Sequence, residues 1–377
     1  MATFVFGSAL PAPPASFSPT ALTAGSFGRI NDPTLRDPYV QKFSLGYETK
    51  LGQYYTLSSD FVHTLGIHEN RVLNINPRLK TICDPTFPGS NPTSALCVRG
   101  ASTRFFDPAF VAAGLGAGRL EQINMFASNN RSRYDSWVTT LRRRSRKTMY
   151  SISYVLSKSQ GWGGQPTASY SGNGIAITPE QQFRPEEFGP SRNDERHRIV
   201  ASGVFDLPHG FQLAPIFQLA SARAYSANAG TDIDGDGRST VDRICSGVDP
   251  RAVLQSLVNG SALPAGTLAK GCTQTTVNSQ RGGFLVSGAS ISPHSGRYFD
   301  VDMRLTKSFS IGEKFKLKGF LNFYNIFNTK NLGFSGRTGL SAVNSGVFLQ
   351  PVSLFGPGFG PPVGVPFTMQ IGARVDF

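Results

Sequence analysis

The stretch Phe367-Thr368-Met369-Gln370-Ile371-Gly372-Ala373-Arg374-Val375-Asp376-Phe377 alternates strictly in polarity. Successive side chains of a strand point to opposite faces, so Phe367, Met369, Ile371, Ala373, Val375 and Phe377 share an apolar face. Thr368, Gln370, Gly372, Arg374 and Asp376 share a polar one. A sandwich in water can hold such a strand. So can a barrel in a bilayer, which needs strands of about 9–11 residues with apolar and polar faces. The rest of the chain decides between them.

Working outward, the same alternation recurs in pairs. Tyr39, Gln41, Phe43, Leu45 and Tyr47 oppose Val40, Lys42, Ser44, Gly46 and Glu48, and after Leu51-Gly52-Gln53 the pattern resumes with Tyr55, Leu57 and Phe61. Trp137, Thr139 and Leu141 precede the basic turn Arg142, Arg143, Arg144, Arg146 and Lys147, and Tyr150, Ile152, Tyr154 and Leu156 follow it. A third hairpin joins 197–207 to 210–221 across Pro208-His209-Gly210. Pro215 inside it predicts a bulge or weak pairing. In the fourth, Phe299, Val301, Met303 and Leu305 oppose Asp300, Asp302, Arg304 and Thr306. After Gly312-Glu313, Phe315, Leu317, Leu321 and Phe323 oppose Lys316, Lys318, Asn322 and Tyr324.

Tight connections near 49–53, 145–148, 208–210 and 310–313 alternate with long ones at 64–133, 159–195, 222–296 and 328–366. An up-and-down meander puts all the tight turns at one end and all the long loops at the other. Outer-membrane barrels have that asymmetry. Compact domains rarely carry loops longer than about 15 residues. The expected fold is therefore all-β: an antiparallel up-and-down transmembrane β-barrel, about 9–10 strands of a larger barrel, spanning 38–377, with 1–37 a loop or partial strand entering it. Thr3 to Ala9 is a candidate strand end.

Composition fits this. Only 39% of the 377 residues are hydrophobic, yet 29 are Phe and 41 Gly, as many strands and loops require. No apolar run reaches the roughly 18 residues of a membrane helix. The net charge of +13 is spread over strands and turns rather than gathered in one arm, which disfavours nucleic acid as a partner. Met1 to Leu22 lacks the basic start and unbroken apolar core of a signal peptide, and an open strand edge is not tolerated in hydrocarbon. An amino-terminal portion beyond this sequence is therefore expected.

Several stretches resemble the carboxy-terminal barrel of TonB-dependent outer-membrane receptors, in particular the Oar-like group with carboxypeptidase-regulatory-like amino-terminal domains. They are Tyr39 to Gly46, Tyr154-Val155-Leu156-Ser157-Lys158, Asn193-Asp194-Glu195-Arg196-His197-Arg198, Phe299 to Leu305, Asn322-Phe323-Tyr324-Asn325-Ile326-Phe327-Asn328 and the terminal strand. The resemblance implies uptake of a bulky nutrient (siderophore, carbohydrate or peptide) across the outer membrane, driven through a plug and a TonB-coupling segment that have no counterpart here. It also implies Phe377 as the signal read by the barrel-assembly machinery. The carboxy terminus would be periplasmic, with outer-membrane lipid around the barrel.

Candidate sites follow. Asp300, Asp302, Arg304, Lys316, Lys318 and Arg374 would face the lumen or plug. Asp232, Asp234 and Asp236 at alternate positions, then Gly237, with Asp242 nearby, present hard oxygens as a calcium loop does. Arg243 stands where the bidentate Glu belongs, so a solvated acidic turn is the better description and a calcium loop the alternative. Cys83 with Cys97 and Cys245 with Cys272 each lie within one loop and suit disulfides in an oxidising compartment, against four unrelated buried thiols. The basic turn suits anionic headgroups or plain solvation. His197 reads as a salt-linked residue at a strand start. The scattered histidines and the lack of any nucleophile frame leave no basis for an enzyme. Two other readings stay open: a stand-alone passive outer-membrane pore, and a secreted all-β binding protein.

Overall fold

The computed structural model describes residues 26–98, 103–118, 120–162, 188–191, 194–225, 227–233, 242–273, 280–281, 284–287, 290–292, 296–311, 315–333, 342–344, 348–349, 353–354 and 366–376. Its strands, in order, are β1 (Ser26–Asn31), β2 (Tyr39–Leu51), β3 (Tyr55–Asn74), β4 (Leu120–Arg144), β5 (Thr148–Trp162), β6 (Phe188–Pro190), β7 (His197–Leu207), β8 (Phe211–Ala220), β9 (Ala224–Tyr225), β10 (Gln280–Arg281), β11 (Phe284–Ser287), β12 (Ser290–Ser292), β13 (Tyr298–Ile311), β14 (Phe315–Tyr324), β15 (Leu332–Gly333), β16 (Ser353–Leu354) and β17 (Thr368–Asp376). Three short helices, α1 (Lys80–Cys83), α2 (Asp107–Ala112) and α3 (Pro250–Asn259), lie in the long loops. No helix among the described residues is long and apolar enough to cross a membrane.

Eleven strands form one sheet, and its main path is the meander β2-β3-β4-β5-β7-β8-β13-β14-β17, antiparallel throughout. Among the described residues the sheet does not close, and β2 and β17 are its edges. Gly52 turns the first hairpin in the left-handed conformation (φ 69°), and His209 and Gly210 turn the third at φ 61° and 74°. Those are the conformations that tight strand connections demand. Thr3 to Ala9 lies outside the described residues. Ser26–Asn31 is a strand that runs parallel to β4, pairing Arg29 with Asn124 and Asn31 with Phe126.

Register carries one face through the whole sheet. Leu45 pairs with Phe61, Phe61 with Trp137, Trp137 with Leu156, Leu156 with His197, and so across to Phe217, Val301, Phe323 and Met369 on the same face. Directly paired residues share a face, so the period-two pattern is one property of the sheet rather than nine coincidences. The apolar face is largely uncovered: Phe43, Leu45, Tyr47, Trp137, Ile152, Tyr154, Leu156, Met369, Ile371 and Val375 are all exposed. The principal buried cluster lies elsewhere, in the loops.

The strands run further than alternation suggests. The expected loop 64–133 is in fact 75–119, because β3 continues to Asn74 and β4 begins at Leu120. Above Trp137 the outward positions of β4 become Asp135, Arg133 and Arg131, while β3 presents His63, Leu65 and Ile67. The apolar signal stops on β4 while the backbone ladder continues, with irregular register between Ile67, Glu69 and Arg71. At Pro215 the structure has the weak pairing expected there, without a bulge. Register to β7 is unchanged, but the ladder skips from Ser202–Ile216 to Phe205–Leu213, because proline has no N–H to offer.

Met303 and Thr306 lie on opposite faces of β13. Met303→Arg should lower stability in a bilayer by about 2–4 kcal/mol, and Thr306→Arg by little, as read from denaturant titration of heat-modifiable barrel.

Candidate functional site

The polar face holds the candidate site. Register places Asp300, Asp302, Arg304, Lys316, Lys318 and Arg374 together on it, with Lys318 opposite Arg374 and Lys316 opposite Asp376. Arg304 Nε donates to Asn322 Oδ1 at 2.7 Å, and Asn322 Nδ2 donates to Gln370 Oε1 at 3.0 Å. This chain of amides and a guanidinium crosses β13, β14 and β17. Arg304 also stacks on the Phe320 ring at 5.2 Å. Phe320 lies over Gly372, where a Cβ would strike the ring, so glycine is the residue that lets the aromatic lie flat across the ladder.

The two aspartates have more local tasks. Asp302 Oδ1 accepts the Asn325 amide at 2.9 Å, and Asp300 accepts the Tyr298 hydroxyl at 3.2 Å. In Asn322-Phe323-Tyr324-Asn325-Ile326-Phe327-Asn328 each asparagine does a different job. Asn322 joins the ladder. Asn325, at φ 48°, closes the strand end through both amide atoms on Thr329. Asn328 Oδ1 accepts the Phe367 amide at 3.1 Å, just before the last strand.

On the same face lies an open cavity of about 750 Å³. Arg142, Arg144, Ser151, Asp302, Arg304 and Tyr324 contribute to its lining, drawn from β4, β5, β13 and β14. One cavity reached from strands so far apart in the sheet order requires the sheet to curve toward its polar face. The basic turn is thereby divided: Arg142 and Arg144 share the polar face, while Arg143 covers the Tyr55 ring at 5.6 Å on the other.

Above the sheet the long loops fold together. Asp249 accepts the Arg251 amide and starts α3, Pro250 occupies its first turn, and Gly260 ends it at φ 66°. Val253 and Leu254 of α3 pack with Ala227, Ile244, Val343, Phe348 and Leu349, joining residues from two loops in one apolar core. Val343 donates its amide to Asn228 O, and Asn344 Nδ2 reaches Gly230 O at 2.7 Å. Lys270 Nζ donates to Thr86 Oγ1 at 2.8 Å and lies over the Phe87 ring, tying in the first loop. Within that loop the Thr86 hydroxyl and amide hold the Asp84 carboxyl below its ordinary range. Asn76 bonds Leu120 O and Glu121 O, and Asp107 accepts the Arg104 and Gly118 amides. These buried staples and α3 escaped the sequence reading. Asp249-Pro250 before Val253, Leu254, Leu257 and Val258, then Gly260, was a helix signal hidden inside a presumed loop.

Both disulfides are present: Cys83–Cys97 with Cα atoms 5.5 Å apart and Cys245–Cys272 at 5.7 Å. Of the calcium candidates, Asp234 and Asp236 lie outside the described residues. Asp232 approaches Lys80 Nζ at 3.7 Å, and the buried Asp242 accepts the Ile233 amide. No group of metal-ligating side chains occurs among the described residues. Phe377 also lies outside them. Among the described residues His197 has no ion pair: its Nδ1 meets the Tyr154 hydroxyl at 2.8 Å and the rings stack, while its neighbour Arg198 takes the ion pair with Glu195. His63 and Asp135, at 2.5 Å, resemble a catalytic dyad, but the neighbours of His63 on its face are Phe43, Phe61 and Leu65, none with a hydroxyl to attack.

The chain matches the family model described as outer membrane beta barrel domain over residues 2–352. Among solved structures it is similar to the outer membrane transporter YddB from Escherichia coli, at 12% identity and TM-score 0.43, covering 84% of this chain and 32% of that one. It is also similar to the FrpB iron transporter from Neisseria meningitidis, at 8% identity and TM-score 0.37, covering 81% and 29%. The chain thus spans about a third of the length of either transporter. No curated protein matches it.

Replacing Cys245 and Cys272 by Ser should loosen the loop core by about 3 kcal/mol, given the 27-residue separation. Limited proteolysis should then cut between α3 and β13 while the strands stay protected.

Proposed function

The chain belongs to the outer-membrane β-barrel domain family, and on that premise we propose that it is a wall segment of a TonB-dependent receptor importing a bulky nutrient. The observation that carries this reading is the curved polar face with its cavity, lying beneath a disulfide-stapled cap of long loops. A polar concave wall and an apolar convex one are what a wide, wetted or plugged barrel requires. The long loops then face outside and bind the nutrient first. The tight turns and the carboxy terminus are periplasmic. Oar-like motifs at Phe299 to Leu305 and Asn322 to Asn328 favour that group, and here they serve the amide ladder and the turn before the last strand.

Among the described residues β2 and β17 are the edges of the sheet, and edges need hydrogen-bond partners in hydrocarbon, so further strands, with a plug and its energy coupling, would complete the receptor. The exposed apolar face weighs against a protein secreted into water. A passive pore is the second reading, kept alive by the open cavity.

Planar-bilayer recording separates these two. A receptor segment gives no steady unitary conductance from this chain alone, and a pore gives regular steps. Within the complete receptor, Arg304→Ala breaks the ladder. Uptake should fall several-fold while the amount of heat-modifiable barrel in the outer membrane stays unchanged. Loss of the barrel itself would make the ladder structural rather than part of the path.

A further inference from the structure

We propose that the outward face of β3, β4 and β5 carries a binding site for a phosphorylated glycolipid of the outer leaflet, formed by Arg131, Arg133 and Lys158. The inference rests on the orientation given under Proposed function.

The three cations lie on the apolar-face side of the sheet, not the polar one. Arg133 pairs with Leu65 and Gln160, Arg131 with Ile67, and Lys158 with Asp135. Directly below them on the same face are Trp137 and Phe61, 6.5 Å apart and edge to face. Trp137 is 54% exposed and donates its Nε1 to Ser59 Oγ at 2.7 Å. An exposed tryptophan at the end of an apolar band marks the level where acyl chains give way to headgroups. The opposite boundary is set by Arg143 on Tyr55, and by Lys307 on the Phe211 ring at 4.3 Å with its ammonium bonded to His209 O. From Asp135–Lys158 to Arg143–Tyr150 is about 26 Å of strand, or about 20 Å of height at a usual barrel tilt. The basic patch therefore sits at headgroup height on the long-loop side.

Its charges are arranged for an external anion. Asp135 is shared by His63 at 2.5 Å and by Arg133 Nε at 2.6 Å. Arg133 uses only Nε for that bond and is 51% exposed, so its terminal nitrogens have no partner among the described residues. Arg131 and Lys158 are exposed and have no ion-pair partner among the described residues. A guanidinium fork, a second guanidinium and an ammonium above a tryptophan ring match phosphates on a sugar with acyl chains beneath. Simple solvation would not require Asp135 to hold Arg133 in place.

The test uses the full protein in nanodiscs of zwitterionic phospholipid doped with either a diphosphorylated or a dephosphorylated glycolipid, with retained lipid measured by mass spectrometry. The wild type should retain the diphosphorylated form selectively. Arg131→Gln/Lys158→Gln, which leaves the Arg133–Asp135 bond intact, should retain roughly tenfold less, and adding Arg133→Gln should lower it further. Arg146→Gln/Lys147→Gln at the opposite end is the control and should retain as much as wild type. Equal retention by wild type and patch variants overturns the proposal. So does displacement by inorganic phosphate alone, which would make the patch a simple anion site. Failure of the wild type to enter lipid-only nanodiscs would instead overturn the membrane-barrel reading beneath it.

Discussion

Every backbone amide within hydrocarbon must find its partner inside the protein, and the rest of this structure follows from that constraint. Strands satisfy it only by pairing, and pairing in register forces successive side chains to alternate faces. One face then meets lipid and must be apolar, and the other is free to be polar. That is why Met303 and Arg304, adjacent in sequence, lie in opposite environments, and why Phe61, Trp137 and Leu156, far apart in sequence, lie side by side. Little apolar core exists between sheet and solvent, because the lipid takes its place. The buried cluster sits where water does reach, in the loops.

The same constraint explains what could be read from the sequence. Alternation is imposed only where the two faces differ, so the hairpins at Tyr39–Phe61, Trp137–Leu156 and Phe299–Tyr324 were legible almost residue by residue. Above Trp137 the outward residues of β4 are Asp135, Arg133 and Arg131, so its alternation lost its signal there although the ladder persists back to Leu120. On β3, Leu65 and Ile67 stay outward, but His63 interrupts them and the register turns irregular at Glu69 on the way to Asn74. The parallel strand β1 was not legible for a further reason: six residues, Ser-Phe-Gly-Arg-Ile-Asn, carry no mark of the strand they join. The polar-face residues were legible as a set but not in their tasks. Asp302 reads as a wall charge, yet it accepts the amide of Asn325 and ends a strand. Nothing in the spacing shows that Phe320 needs Gly372 across from it.

The loops obey ordinary globular rules. Where they are described, the loop carrying α3 gains order from residues of its neighbours. α3 provides the apolar side chains, Val343, Phe348 and Leu349 arrive from another loop, and Lys270 reaches the first. Disulfides close the two cysteine-bearing loops on themselves. A cap built this way stays shaped above a wall whose own stability comes from the bilayer. Loop cap and sheet are thereby parts that fold by different physics.

The central claim is that the apolar face meets lipid and the polar face meets water. Since all four native cysteines are paired, single cysteines can be introduced along β13 without a background thiol. Spin labels at 301, 303 and 305, then at 302, 304 and 306, should be read in membranes for collision with dissolved oxygen and with a water-soluble nickel complex. The account predicts strict alternation: oxygen contact at the odd positions and nickel contact at the even ones. Uniform nickel contact at both sets would contradict it, and so would a reversed phase.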